Sequence, residues 1–435
     1  MARLIFLLLD GVLLFYFSLF FFSSVVEKEK RAALISLVIF SVLLAAELAA
    51  LSLPNTLIFL PSSLFILFLF VLLFIPFGSF SRIEITGNRS RYDERDIMFA
   101  RARYVKGTAA YTDYYKRRPE KLKTDDALRA MPDLLAPGGL HYQPLQAKMA
   151  ENNFELNEKL IPLCQDSPAA NRINLSPEEA TEIMKNFVSS FGAVDVGVAP
   201  LDRFHIYSHV GRGPGGYGTP ITGEFANVIV FAVEMDFEAM QQAPKMPVVV
   251  ESSRQYLEAA KIAINSAAFI RSLGYNARAH MDANYHFMLP AAAVDAGLGE
   301  IGRIGYLIHP RYGARIRLGA VTTDMPLRYD APITFGVQDF CRICKKCAEY
   351  CPAGAISFGP EKEVRGVKKW STNQEACYRY WRTVGTDCGI CMHVCPYSKP
   401  DNFAHDVIRL MIRQNPVARQ AAVVGDRILY KYSRE

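Results

Sequence analysis

The sequence CRICKKCAEYCP occupies residues 341–352, and CYRYWRTVGTDCGICMHVCP occupies residues 377–396. Together they hold eight of the nine cysteines of this 435-residue chain, within a stretch of 55 residues. The first run has the spacing Cys-x2-Cys-x2-Cys-x3-Cys-Pro, and the second ends in the same way after a displaced first cysteine. Thiolates at this spacing are typical of iron–sulfur ligands. The two runs therefore predict a compact electron-transfer module.

The spacing also divides the cysteines between two [4Fe–4S] clusters. In the bacterial ferredoxin run, three thiolates bind one cluster and the fourth reaches the other. We predict one cluster on Cys341, Cys344, Cys347 and Cys395, and a second on Cys351, Cys377, Cys388 and Cys391. Disulfides would need an oxidising compartment, and paired zinc sites rarely show this spacing. The ninth cysteine, Cys164, is interpreted as a structural, inert thiol.

The first 80 residues differ in composition from the rest of the chain, because they contain only eight charged side chains. Three apolar runs, at residues 4–26, 32–53 and about 56–77, are each near the ~20 residues with which a helix crosses a bilayer. Neither a signal-peptide cleavage pattern nor a twin-arginine motif is found. Residues 1–80 are therefore predicted to form a three-helix transmembrane anchor in contact with membrane lipid.

Basic residues predict the orientation of this anchor. Lys28, Lys30 and Arg31 follow the first run, and four arginines between residues 82 and 95 follow the third. In a three-helix arrangement both groups lie on one face, which the positive-inside rule assigns to the cytoplasm. We therefore expect a multi-pass inner-membrane protein with a cytoplasmic catalytic domain. The net charge of +6 is too dilute to indicate nucleic-acid binding.

The remaining residues read as an α+β protein. A helix is predicted from Pro177 to residue 191 and others over residues 145–160, 256–273 and 291–296, with strands over 194–198, 228–233 and 315–322. Glycine-rich stretches at residues 211–216 and 297–302 lack the strand-before, helix-after context of a dinucleotide site. The predicted domains are the anchor (1–80), a linker and wrapping segment (81–175), a mixed α/β domain (176–335), a ferredoxin-type domain (336–400) and a C-terminal helix and tail (401–435).

The order of several short motifs carries a family resemblance. AGLGE at residues 296–300 is followed by YGARIR at 312–317, TDMPL at 323–327 and Phe340-Cys341, and then by the two cluster runs. In this order residues 176–400 resemble the reductive dehalogenases, which are corrinoid and iron–sulfur enzymes that remove halogen from organohalides. Epoxyqueuosine reductase is similar in the same two domains and is the close relative to exclude.

The resemblance implies a nitroreductase-like domain over residues 176–335 that binds a cobalamin-type corrinoid, reduced through the two clusters. It implies that Tyr256 is the proton donor, that Arg317 is the cation that stabilises its phenolate, and that Asn284 is a pocket amide. No Asp-x-His-x-x-Gly run is found, in agreement with a corrinoid that lacks a histidine ligand. Four histidines of this domain are interpreted as hydrogen-bonding residues: His205, His209, His280 and His286.

The sequence thus predicts an oxidoreductase, a membrane-anchored reductive dehalogenase that acts on an organohalide. Its electrons would come from a quinol pool or a ferredoxin-like protein. Two alternatives remain open. One is a corrinoid reductase of the epoxyqueuosine reductase type, which is expected to be soluble. The other is an electron-transfer iron–sulfur subunit of a membrane complex, which would not need the 160-residue α/β domain.

Overall fold

The computed structural model describes residues 2–52, 59–78, 80–212, 216–223, 225–413 and 415–432. The chain divides into two compact units. The first unit comprises Met1–Ser81, Phe335–Cys344 and Lys399–Glu435, and the second comprises Arg82–Thr334 and Lys345–Ser398.

The α-helices of the described residues are, in chain order, α1 (Ala2–Val26), α2 (Lys30–Ser52), α3 (Phe59–Phe74), α4 (Met98–Arg101), α5 (Ala109–Arg117), α6 (Leu122–Arg129), α7 (Pro144–Lys159), α8 (Pro177–Ser190), α9 (Phe237–Met240), α10 (Met246–Ser272), α11 (Leu289–Asp295), α12 (Val337–Cys344), α13 (Lys346–Tyr350), α14 (Gln374–Val384), α15 (Ile390–His393), α16 (Phe403–Arg413) and α17 (Pro416–Leu429). The strands are β1 (Glu84–Ile85), β2 (Asp195–Pro200), β3 (Asn227–Glu234), β4 (Ala277–His280), β5 (Glu300–Ile301), β6 (Leu307–Ile308), β7 (Ile316–Thr323), β8 (Lys362–Val364) and β9 (Val367–Lys369).

The first unit contains the apolar helices. By length and composition α1 and α2, with 25 and 23 residues, could cross a membrane. The third predicted run is not a candidate span within the described residues, where α3 has 16 residues and ends at Phe74. Pro76 disfavours the helical conformation of the residue before it, so the helix stops there. Residues 53–58, which include the predicted start of this span, lie outside the described residues.

The C-terminal helices α16 and α17 pack against the apolar helices within this unit. The Tyr16 hydroxyl donates to the Ala404 carbonyl at 3.2 Å. The Asn415 amide donates to the carbonyls of Leu72 and Ile75 at 2.7 and 3.1 Å. Carbonyls at the end of a helix lack partners within it, so Asn415 satisfies orphan acceptors at the end of α3. Two helices therefore follow residue 400 where the sequence predicted one helix and a tail.

The second unit is built on an antiparallel sheet with the order β2-β3-β7-β4. Alternate residues of β3 face opposite sides: Phe231 packs with α8 and α10, and Val230 packs with α11. Since both faces are covered, β3 is apolar along its whole length. This explains why residues 228–233 read as a continuous apolar strand.

Most of the predicted elements of the second unit are confirmed, with two corrections. Helix α8 begins at Pro177, where Ser176 and Glu179 form a capping box. Helix α10 begins at Met246 rather than at residue 256, so Tyr256 lies inside the helix and not at its start. Strand β4 was not predicted. The second glycine-rich stretch runs from α11 into the short strand β5, whereas residues 213–215 of the first lie outside the described residues.

Candidate active site

Tyr256 and Arg317 are brought together by α10 and β7. The Arg317 Cζ atom lies 4.9 Å from the centroid of the Tyr256 ring. Arg317 Nη2 donates to the Ser252 hydroxyl at 2.6 Å and lies 3.4 Å from Asp387 Oδ2. Ser252 precedes Tyr256 by one helical turn, so both side chains project from the same face of α10. The structure therefore joins two of the three predicted catalytic residues in one charged cluster.

Four side chains of this region are half-buried: Tyr256, Tyr285, Tyr306 and Arg317. The side chain of Arg317, for example, is 15% exposed. The phenols and the guanidinium therefore keep part of their surface available for contact with a bound group.

The electrostatics of the pair keep the phenol protonated. Burial raises the pKa of Tyr256 well above its usual value, while Arg317 opposes this increase. Burial disfavours the charge of Arg317, but Tyr256 and Asp387 raise the pKa of Arg317 above its ordinary value. Burial also raises the pKa of Asp387, and Arg317 opposes it. Tyr256 is thus a neutral acid beside a permanent cation, which would stabilise its phenolate after proton transfer.

A second arginine–tyrosine pair borders the same region and was missed by sequence reasoning. Arg212 Cζ lies 4.6 Å from the centroid of the Tyr285 ring, and Arg212 Nε donates to Glu94 Oε1 at 3.0 Å. Of the eleven buried side-chain atoms without a hydrogen-bond partner among the described residues, three belong to these charged side chains: Arg212 Nη2, Arg317 Nε and Asp387 Oδ1. Buried polar atoms normally have partners, so these atoms have capacity for a bound group.

Asn284, the third predicted residue, points elsewhere. Its side-chain oxygen accepts a hydrogen bond from Arg278 Nη2 at 3.1 Å. Arg278 also lies 2.7 Å from His280 Nδ1 and 2.9 Å from His286 Nε2. In the part of the chain that the structure describes, no hydrogen bond joins Asn284 to Tyr256 or Arg317. The role of Asn284 as a pocket amide stays a prediction.

The histidines of this domain take part in hydrogen bonds, as interpreted from the sequence. His280 Nε2 lies 2.9 Å from the Thr322 hydroxyl. His205 is 2.8 Å from Asp295 and His209 is 2.9 Å from Ser208.

The four cysteines of the predicted second cluster lie together in the second unit. Burial raises the pKa of Cys377 to about 11, and the neighbouring thiol of Cys351 adds to the effect. Burial and the other thiols also raise the pKa values of Cys388 and Cys391. Thiols influence one another in this way only at short distance. Iron would displace their protons, since a coordinating thiol is deprotonated.

The other four cysteines are distributed over both units. Cys341 and Cys344 lie on α12 in the first unit, and Cys347 and Cys395 lie in the second. In the described residues, no three His, Cys, Asp or Glu side chains are grouped as a site for a single metal ion. This does not conflict with a cubane cluster, in which each cysteine binds a different iron.

Comparisons with known proteins agree with this arrangement. Residues 340–399 match the family described as the 4Fe-4S dicluster domain. Over 294 residues the chain is 34% identical to the tetrachloroethene reductive dehalogenase of Desulfitobacterium hafniense, covering 57% of this chain and 53% of that protein. The chain is a homologue of the reductive dehalogenases. It spans about half the length of the curated reductive dehalogenases that it matches.

Solved reductive dehalogenases share the fold. The catabolic reductive dehalogenase NpRdhA, in complex with 3-bromo-4-hydroxybenzoic acid, superposes with a TM-score of 0.66 at 27% identity, covering 82% of this chain and 49% of that one. A reductive dehalogenase whose structure is described as suggesting a mechanism for B12-dependent dehalogenation gives a TM-score of 0.62 at 25% identity, with coverages of 81% and 48%. The epoxyqueuosine reductase of Lactococcus garvieae is 30% identical over 122 residues, which are 26% of this chain and 32% of that protein.

Proposed function

We propose that this protein is a membrane-anchored reductive dehalogenase, an oxidoreductase that replaces a halogen of an organohalide with hydrogen. The net reaction consumes two electrons and one proton and releases a halide ion. The observation that carries the proposal is the buried Tyr256 phenol under the Arg317 guanidinium, beside the cysteines of the second cluster, in a homologue of these enzymes.

Tyr256 is proposed to give the proton to the carbon that loses the halide. Its raised pKa keeps the phenol protonated at neutral pH, so the acid form is always present. Arg317 would stabilise the phenolate as it forms, because a positive charge favours the charged form of a nearby acid. Ser252 and Asp387 hold the guanidinium in position. Water reprotonates Tyr256 before the next turnover.

The residues around Tyr256 and Arg317 fit a corrinoid, which would supply a low-valent cobalt able to reduce the carbon–halogen bond. The amide groups of a corrin ring need hydrogen-bond partners. The unpartnered Arg212 Nη2 and Arg317 Nε atoms can donate to their oxygen atoms, and Asp387 Oδ1 can accept from their nitrogen atoms. The phenols of Tyr285 and Tyr306 would border the same group.

Electrons are proposed to pass through the cluster of Cys341, Cys344, Cys347 and Cys395 and then through the second cluster. Tyr306 supports this order. Burial raises the pKa of Tyr306 well above its usual value, and the thiols of Cys391 and Cys377 add to the increase, whereas Arg317 opposes it. Tyr306 is therefore within electrostatic reach both of the second-cluster cysteines and of the catalytic pair, which favours that cluster as the inner one.

The membrane part of the proposal rests on α1 and α2 and on the basic residues of the turn between them. We propose that these helices anchor the chain and that α3 returns it to the side of the basic turn, because His405 contacts Glu27 of that turn and Asn415 contacts the end of α3. The catalytic domain would then be cytoplasmic. A quinol pool or a ferredoxin-like protein would then supply the electrons. The alternative of an epoxyqueuosine reductase activity is disfavoured, because that relative matches 26% of the chain and the dehalogenase matches 57%.

Metal analysis and electron paramagnetic resonance test the proposal, on protein produced anaerobically with corrinoid supplied. About eight iron atoms and one cobalt are expected per chain. Halide release should then be measured with tetrachloroethene and with 3-bromo-4-hydroxybenzoic acid, the compounds in the names of the relatives. Iron without cobalt, in a preparation in which a known corrinoid enzyme does load, would instead indicate an electron-transfer subunit.

A further inference from the structure

The two C-terminal helices expose an apolar stripe to solvent. On α16, Phe403 and Leu410 are 58% and 61% exposed. On α17, Val424 and Ile428 are 56% and 49% exposed, and Val417 is 37% exposed. Residues seven and eleven positions apart lie on the same side of a helix, so each set forms one face.

The opposite faces of these helices are buried within the first unit. Ala404 and Ile412 of α16, and Ala418 and Val423 of α17, are nearly inaccessible. Both helices therefore use one apolar face for packing and leave a second one uncovered. Exposing apolar surface to water costs free energy in proportion to its area, so the uncovered face requires another environment.

Contacts within the first unit locate the stripe at one end of the apolar helices. His405 Nε2 and the Asn402 amide both contact Glu27, which lies in the turn between α1 and α2. Asn415 is bonded to the carbonyls of Leu72 and Ile75 at the end of α3. The helices thus lie where the apolar helices meet polar surroundings, at the level of a bilayer headgroup region if those helices span it.

The same unit exposes further apolar side chains and carries exposed positive charge near the two C-terminal helices. The outer faces of α1–α3 are themselves apolar and exposed, for instance at Leu34 and Phe65. Exposed basic residues lie in the same turn and along the two helices: Lys28, Arg31, Arg413, Arg427 and Lys431. Apolar insertion together with a cationic flank is typical of helices that lie in the interface of an anionic membrane.

We propose that α16 and α17 form a second membrane contact, lying in the interface of an anionic bilayer with the stripe of Phe403, Leu410, Val417, Val424 and Ile428 inserted. This inference rests on the anchoring proposed above. It ties the C-terminus to the membrane surface on the same side as the α1–α2 turn. A second copy of the chain or another protein would be the competing occupants of the stripe.

Photo-crosslinking of the full-length holoprotein in lipid nanodiscs tests this proposal. A benzophenone amino acid replaces Leu410 or Val424, and lipid adducts are identified by mass spectrometry. Leu34 on α2, which is 62% exposed, reports the anchor, and Leu145 on α7, which is 77% exposed, is the control in the second unit. We expect adducts at residues 34, 410 and 424, none at residue 145, and a higher yield at 410 and 424 when phosphatidylglycerol is added to phosphatidylcholine.

The four labelled positions show which of the two proposals fails, the membrane anchor or the second membrane contact. Adducts at residue 34 without adducts at 410 and 424 would overturn the second contact and leave the anchor standing. Protein adducts at 410 and 424 would identify a protein occupant in its place. An absence of adducts at residue 34 would overturn the anchor itself. A yield that does not respond to phosphatidylglycerol would overturn the anionic preference.

Discussion

The guanidinium of Arg317 lies over the ring of Tyr256, with Cζ 4.9 Å from the ring centroid. A cation in this position is attracted by the ring and also favours the phenolate over the phenol. Burial acts in the opposite direction on the pKa of Tyr256 and has the larger effect. The result is an acid that keeps its proton until a base as strong as a reduced carbon forms beside it.

Replacing Tyr256 with Phe should strongly lower dehalogenation while the cofactors remain bound. The ring and its stacking on Arg317 are kept, and only the proton is removed. General acids contribute ~10²- to 10⁴-fold to rates, so turnover should fall by that order. Halide release checks the loss, and iron and cobalt contents check cofactor binding. Tyr275→Phe is the matched control, because that ring stacks under Arg172 at 4.7 Å. Equal losses in both variants would contradict the assigned role.

Arg317→Gln should lower turnover by ~10²- to 10³-fold, the usual effect of removing one preorganised electrostatic contact. Arg317→Lys should recover part of the rate, because it keeps the charge and loses the planar stacking.

Since the pKa of Tyr256 is raised, its phenol stays protonated, and wild-type turnover should show no loss through Tyr256 ionisation up to about pH 10. Turnover rates measured with saturating substrate over that pH range test this expectation. A fall in wild-type turnover near pH 8, with a midpoint that shifts in Arg317→Gln, would contradict the protonated state of Tyr256. Arg172→Gln is the control for the Arg317 substitutions.

The sequence predicted the features that are determined by residues close together along the chain. The cluster cysteines lie a few residues apart, so a motif reveals them, and the apolar run of β3 reveals a buried strand. The dicluster domain was therefore found from cysteine spacing alone. The pairing of Tyr256 with Arg317 came from family resemblance, because residues so far apart carry no local signal of contact.

The partners that complete the site were beyond sequence reasoning for the same reason. Arg317 meets Asp387 across 70 positions, and Arg212 meets Glu94 across 118. Asp387 directly precedes Cys388, which was the only local signal that it belongs to the site. The start of α10 was missed because Val248 and its β-branched neighbours favour strands, whereas Val249 and Val250 pack against Ala147 and Ala150 of α7 in a helical conformation.

Cys377 should prove to be a cluster ligand although it stands ten residues before the rest of its run. Its thiol lies close enough to Cys351 for the charge of one to affect the pKa of the other. Cys377→Ala should therefore lose one cluster, or leave it with three irons, and iron content should fall from about eight toward about four per chain. Cys164→Ala is the control, because Cys164 is a buried free thiol that lies outside the module. Unchanged iron in Cys377→Ala would identify a different fourth ligand.

Acidification should loosen α16 through His405. Burial lowers the pKa of His405 below its usual 6.5, even though Glu27 opposes this effect. Burial would raise the pKa of Glu27, but the hydrogen bond from His405 and those from Ser23 and Asn402 lower it. His405 is therefore neutral at pH 7 and donates from Nε2 to a charged Glu27 over 2.9 Å.

The sign of the pH effect follows from these directions. Below about pH 6.5 the unfolded chain binds a proton at His405 that the folded chain resists, so stability falls as the pH drops. Glu27 adds to this loss only below its usual value of 4.5. Hydrogen exchange of the α16 amides, corrected for intrinsic rates, should show weaker protection at about pH 5.5 than at pH 7.5. In His405→Asn the protection of the α16 amides should not change over this pH range, because the asparagine amide still donates to Glu27 and does not titrate. The substitution itself should lower the stability by about 1–3 kcal/mol. The amides of α8 provide the reference, because that helix has no histidine–glutamate pair like His405 and Glu27. Equal acid sensitivity of α16 in wild type and in His405→Asn would exclude His405 as the cause of the weaker protection.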